Sequence, residues 1–184
     1  ELCRDHAGSV PDKALHTRHE DASTRDAAEG AWRDAFLRAP YLRDALVARG
    51  IFVETFETAI TWDKFDALHA RVVQAARDAA ETKALVSCRI THAYPDGAAP
   101  YFTVVAPARA DGELSQWLAV KTAITDAMLA EGGTTTHHHA VGRDFRPWYE
   151  QQVPTLLRSS LEAVKRQLDP SSILNPGVLL PEAD

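Results

Sequence analysis

The sequence predicts an α+β fold, and three observations carry that prediction. Ile51 to Ala59 (IFVETFETA) is rich in β-branched and aromatic residues and reads as a strand. It runs into a helical spacing of Trp62, Phe65, Leu68, Val72, Val73 and Ala76, with Thr61 placed to cap the helix. Two further strand-like runs, Leu85 to Tyr94 and Tyr101 to Ala106, flank the turn signal Pro95-Asp96-Gly97. A second amphipathic helix over Leu114 to Leu129 carries Trp117, Leu118, Ile124 and Met128. Gly132-Gly133 closes it, and Thr134 to His138 is expected to run as the fourth strand. The order βαββαβ is that of a ferredoxin-like antiparallel sheet with helices on one face.

The flanks are helical. Residues 1–50 read as an N-terminal helical part, with helical stretches at Glu1 to His6, Asp26 to Arg38 and Tyr41 to Arg49. Residues 51–142 form the ferredoxin-like core. Residues 143–184 hold helices over Arg146 to Gln152 and Pro154 to Leu168, then the proline-flanked apolar tail Ile173 to Pro181 (ILNPGVLLP). The 184 residues, 45% hydrophobic, suit one domain with a substantial core. A formal net charge of −6, with no basic stripe, argues against nucleic acid as a partner. The apolar runs are too short to span a bilayer. Cys3 and Cys88 lack Cys-x-x-Cys spacing, read as ordinary buried thiols and favour a cytoplasmic setting. The chain opens at Glu1 rather than methionine, and an upstream region is expected.

Alternation along the strands separates two faces. Val86, Cys88 and Ile90, with Phe102, Val104 and Ala106, form an apolar face that belongs under the helices. Ser87, Arg89 and Thr91, with Tyr101, Thr103 and Val105, form the other. That second face is either solvated or closes over a ligand or another domain. The apolar groups on both sides of the first strand favour closure.

His137-His138-His139 is the strongest local oddity. On a strand, His137 and His139 would share one face and His138 the other. The run admits three readings: two ligands of a zinc site, a catalytic or anion-binding cluster, or packing. With no compact third or fourth ligand, and His92 only a distant candidate, no metal site is expected.

Gly132 to Gly142 (GGTTTHHHAVG), Trp148 and Asp169 to Leu179 (DPSSILNPGVL) together resemble the C-terminal end of the FAD-linked oxidase superfamily. Within it, the histidine triplet is similar to the alkyldihydroxyacetonephosphate synthase family. Pro40 to Asp44 (PYLRD), Phe56 to Trp62 (FETAITW) and Cys88 to Phe102 (CRITHAYPDGAAPYF) extend the likeness in that family's order. Ala140 departs from a glycine common there, and the glycine-rich flavin-diphosphate segment of the family is absent from this sequence.

The resemblance implies a substrate-covering part of an FAD-dependent enzyme, with the FAD-binding domain upstream as its partner. It implies exchange of the acyl chain of acyl-dihydroxyacetone phosphate, a lipid-like phosphorylated substrate, for a fatty alcohol. By the same resemblance Tyr101, His138 and His139 are catalytic, Arg43 and His137 bind substrate, and His137, His138 and Asn175 contact the flavin. An ordinary tyrosine is only about 0.1% ionised at pH 7, so a proton-transferring tyrosine needs a cation beside it. Glu57 and Trp62 match family positions without an assigned role. By itself this stretch is expected to hold no FAD and to be inactive. Two other classes compete: an FAD-dependent oxidase or dehydrogenase of a hydroxy acid or alcohol, and a non-enzymatic ferredoxin-like interaction module. Peripheral membrane contact and a homodimer are left open.

Overall fold

A computed structural model describes residues 37–38 and 41–181. The helical stretches expected at Glu1 to His6 and Asp26 to Arg38, together with Cys3, fall wholly or almost wholly outside the described residues. The chain divides into two compact units, 1–42 and 43–184, and the second carries everything that follows.

Its elements run β1 (Ile51–Glu57), β2 (Ile60–Thr61), α1 (Trp62–Ala80), β3 (Leu85–Ala93), β4 (Gly97–Pro107), α2 (Glu113–Ala130), α3 (Arg146–Gln152) and α4 (Thr155–Leu168). The fold is α+β. All pairing is antiparallel around a central β4. β1 lies along one side, from Ile51 opposite Pro107 to Glu57 opposite Tyr101, and β2 continues that side with Ile60 opposite Ala98. β3 lies along the other side, starting with Leu85 opposite Val105.

The core forms on the face turned to α1 and α2. Phe52, Phe56, Phe102, Val104 and Ala106 from the sheet meet Leu68, Val72, Ala76 and Ala80 of α1 and Val120, Ile124 and Met128 of α2. The α1 set recurs every fourth residue, the spacing that keeps side chains on one helical face. Gln116 of α2 is one of the polar residues buried beside the core, and its side chain is fully engaged. Its Nε2 donates to the Ala80 and Pro107 carbonyls at 3.0 and 3.1 Å, and its Oε1 accepts from the Arg109 amide at 3.0 Å.

The start of β4 lies well away from the expected one. β4 begins at Gly97 rather than Tyr101. Its first residues, Gly-Ala-Ala-Pro, have poor strand propensity, and pairing on both sides overrides it. Pro100 has no N–H to give the ladder, and irregularities lie beside it on both neighbours: the break between β1 and β2, and a bulge between Ile90 and His92.

The larger difference is the fourth strand, which is not formed over Thr134 to His138. α2 ends in a Schellman turn, with Gly132 at φ +83° and the amides of Gly132 and Gly133 donating to Leu129 and Met128. Thr134 then touches the β1–β2 junction, donating its amide to the Ala59 carbonyl while its Oγ1 accepts from the Ala59 amide. Beyond it the backbone amides converge on one side chain. Successive amides of a strand point to opposite sides, so a segment whose amides all aim at one carboxylate cannot be a strand.

Downstream, α3 secures this segment from behind. Gln152 accepts from the Thr135 amide at 2.8 Å and donates to the Gly133 carbonyl at 3.0 Å. Buried Trp148 donates to Asp126. After α4, Asp169 accepts from the amides of Ile173 and Leu174, and Arg143 and Arg146 bind the carbonyls of Pro176 and Gly177. The bonds from Lys165 and the Leu174 amide hold the Asp169 carboxyl below its usual range. No helix among the described residues is long and apolar enough to cross a membrane.

Candidate functional site

The site lies on the sheet face that the helices do not cover. Glu57, Tyr101 and Arg89 are direct cross-strand neighbours there, one from each main strand. The Arg89 guanidinium stands 4.5 Å from the centre of the Tyr101 ring, within cation–π range. The bulge after Ile90 sets His92 opposite Ala99 instead of Ala98, which brings the His92 ring onto the same face. Simple alternation from Arg89 would have sent it into the helix side, which is why the sequence made His92 look remote.

The loop after α2 delivers the three histidines to this row. The Glu57 side chain is fully buried, and its Oε1 accepts the amides of His137, His138 and His139 at 2.7, 3.0 and 2.9 Å. The Thr136 hydroxyl donates to the same oxygen. Burial raises the Glu57 pKa, but the Thr136 hydroxyl and the three amides outweigh it and leave the group below the ordinary carboxylate range. Converging amides of this kind form an anion nest, filled here by the protein's own carboxylate.

The imidazoles splay outward from that anchor. The His137 and His138 rings meet at 82°, and those of His138 and His139 at 70°. His138 stacks beside Tyr101 with ring centres 6.0 Å apart, and His139 meets Tyr101 edge-on at 5.5 Å. His137 Nε2 is 2.9 Å from the Tyr94 hydroxyl. Burial pushes His139 below the ordinary imidazole value, with Glu57 pulling the other way. All three rings keep partial exposure, with side chains 21 to 36% accessible.

The structure therefore brings Tyr101, His137, His138 and His139 together. Arg43 stands apart: it pairs with Glu54 at 3.1 Å. Glu54 also accepts from Trp117 of α2 and so lies on the helix-covered side. Asn175 is exposed in the tail at φ +46°, its carbonyl accepting from the Val178 amide, and no described hydrogen bond joins it to the histidines. Sequence reasoning set Arg89 on the face of Tyr101 without giving it a role, and it missed Glu57, His92 and Tyr94 as members of the cluster. For Glu57 the only signal was its match to a family position, since the strand carries a second carboxylate at Glu54.

Ring nitrogens of His92, His137 and His138 lie within 4.8 Å of one another, so a compact third metal-ligand candidate does exist. The expectation that His138 would face away from its neighbours fails with the strand it assumed. Toward a flavin, the partly exposed imidazoles present hydrogen-bonding ring nitrogens. The described residues offer no glycine-rich cradle for its diphosphate.

One face of the sheet is thus packed by helices, and the other is lined by a tyrosine, an arginine and a histidine fan. The chain belongs to the family of FAD linked oxidases, C-terminal domain, whose match covers residues 3–179. Among curated relatives it is similar to alkyldihydroxyacetonephosphate synthase of Trypanosoma brucei brucei, 33% identical over 155 residues, covering 82% of this chain and 25% of the relative. It is likewise similar to the Caenorhabditis elegans enzyme of that name, 33% identical over 139 residues, covering 72% of this chain and 23% of the relative. The chain thus spans about a quarter of the length of these relatives. In fold it resembles a solved alkyldihydroxyacetonephosphate synthase, with a TM-score of 0.59 at 20% identity over 79% of this chain and 24% of that one.

Proposed function

We propose that, in the full-length protein, this domain covers the substrate of an FAD-dependent enzyme. That enzyme exchanges the acyl chain of an acyl-dihydroxyacetone phosphate for a fatty alcohol. The observation that carries the reading is the Tyr101 ring held between Arg89 and the His138–His139 pair on an open sheet face. The names of the relatives support it.

The reaction needs a proton moved at the carbon beside the ketone, positive charge for the phosphate, and a flavin. Tyr101 is suited to the first task. Among the described residues its hydroxyl makes no hydrogen bond, which leaves it available to a substrate proton. Positive charge on Arg89 or a histidine beside the ring stabilises negative charge that develops on the phenolic oxygen. His138 and His139 flank the ring and can relay the proton. Arg89 and the outward imidazoles supply cationic and hydrogen-bonding groups suited to phosphate. His137 and His138 would meet the flavin edge, and bound flavin would supply the electrophilic centre that exchange requires.

The test is Tyr101→Phe in the full-length flavoenzyme, assayed for incorporation of labelled fatty alcohol into an ether product. Exchange should fall by about 10²- to 10⁴-fold, with melting temperature and flavin content unchanged. Tyr149→Phe is the control, because the Tyr149 side chain makes no hydrogen bond among the described residues. Tyr94 is unsuitable, since its hydroxyl contacts His137. Wild-type turnover that consumes an electron acceptor instead of a fatty alcohol would replace the transferase reading with an oxidase one.

A further inference from the structure

The Glu57 carboxylate sits one residue position across the ladder from Tyr101, yet it is fully buried beneath the histidine loop. It therefore cannot serve as a reacting group and can act only through the loop it holds. Oε1 takes the three histidine amides and the Thr136 hydroxyl. Oε2 faces the His138 Nδ1 at 3.1 Å and the His137 Nδ1 at 3.8 Å.

Each half of this arrangement has a consequence. Converging the amides on a single oxygen turns three consecutive side chains outward, where strand geometry would have sent the middle one to the opposite face. The Nδ1 edges of His137 and His138 are meanwhile turned toward that carboxylate and toward each other, with the two Nδ1 atoms 3.3 Å apart. His138 is thereby left to present Nε2, while His137 presents its own Nε2 to the Tyr94 hydroxyl.

We propose that Glu57 is the positioning residue of this site: its buried carboxylate clamps the backbone of residues 136–139 so that the His138 and His139 rings flank Tyr101. The clamp stands apart from the phosphorylated-substrate reading above, and only its kinetic readout rests on that reading.

Two variants of the full-length flavoenzyme test the clamp. Glu57→Gln keeps an oxygen acceptor for the amides and removes the charge. Glu57→Asp keeps the charge and shortens the reach by one methylene. The loop is read by hydrogen–deuterium exchange of residues 136–139, and the site by kcat and KM for acyl-dihydroxyacetone phosphate.

Glu57→Gln should retain flavin and melting temperature. Its loop amides should exchange faster than in the wild type, because a neutral amide oxygen holds them less strongly than a carboxylate. Glu57→Asp should also speed exchange of the loop amides and lower kcat. If Glu57→Gln fails to fold, Thr136→Val removes one donor without touching the charge and should also speed loop exchange. Wild-type loop exchange in Glu57→Gln, Glu57→Asp and Thr136→Val overturns the clamp. If the wild-type enzyme does not process acyl-dihydroxyacetone phosphate, the functional reading fails alone, because exchange still judges Glu57.

Discussion

On the face turned to α1 and α2, Phe52, Phe56, Phe102, Val104 and Ala106 are buried against helical stripes. On the opposite face of the same three main strands, Glu57, Tyr101 and Arg89 lie in one row beneath a loop of histidines. The first face is held by area removed from water, a non-directional force that tolerates substitution among apolar residues. The second is held by five directed donor–acceptor contacts to one carboxylate, where a small displacement leaves a buried charge short of partners. One face should therefore answer to volume and the other to charge and geometry.

The most damaging way to probe this contrast is to cut into the covered face. Phe56 and its cross-strand partner Phe102 are both inaccessible to solvent. Phe56→Ala should cost about 3–5 kcal/mol of unfolding free energy, read from urea denaturation. Thr103→Ala, on the open face opposite Thr55 and Ser87, should change it by no more than about 0.5 kcal/mol. Similar losses in both would mean the faces do not differ as described.

A smaller effect is expected where the two faces join. A Cβ on Gly133 would stand 2.8 Å from both Leu68 Cδ1 and Thr58 Oγ1, and 3.0 Å from the Met128 carbonyl oxygen. Gly133→Ala should therefore destabilise by about 1–3 kcal/mol through overpacking, and it should also disturb the start of the histidine loop. A fully stable variant with an unchanged histidine titration would show that the loop is placed without this close approach.

The covered face was legible in the sequence and the open one only in part. Apolar spacing announced α1, and alternation sorted Val86, Cys88, Phe102 and Val104 onto one side because burial selects residues by hydrophobicity. Tyr101 and Arg89 fell on the opposite side by the same rule. The rule failed wherever the ladder was irregular. A bulge returned His92 to the open face, and the poor strand formers Gly97 to Pro100 were held by pairing alone. It failed most fully at Thr134 to His138, where β-branched residues suggested a strand but a glutamate about eighty positions away decides the backbone. A contact between one side chain and three remote amides leaves no periodic trace.

The smallest expected effect is in the acid limb of stability, and its sign follows from two groups. Glu57 is held below its ordinary value of 4.5. Its contribution is therefore fully present above that pH and is lost as pH falls through the lower folded value. His139 is held below its ordinary 6.5, first by burial. The unfolded chain therefore takes up that proton before the folded one, and stability declines as pH drops from 6.5 toward the folded value. Melting temperature should thus fall in two acid steps, one beginning near pH 6.5 and one below pH 4.5. His139→Asn should remove the upper step and leave the lower. Thr136→Val deletes a bond that lowers the Glu57 value, so it should flatten the lower step and leave the upper. A wild-type protein that gains stability relative to His139→Asn on going from pH 7 to pH 5 would reverse the sign argued for His139. Glu57 would then dominate that imidazole more strongly than its burial does.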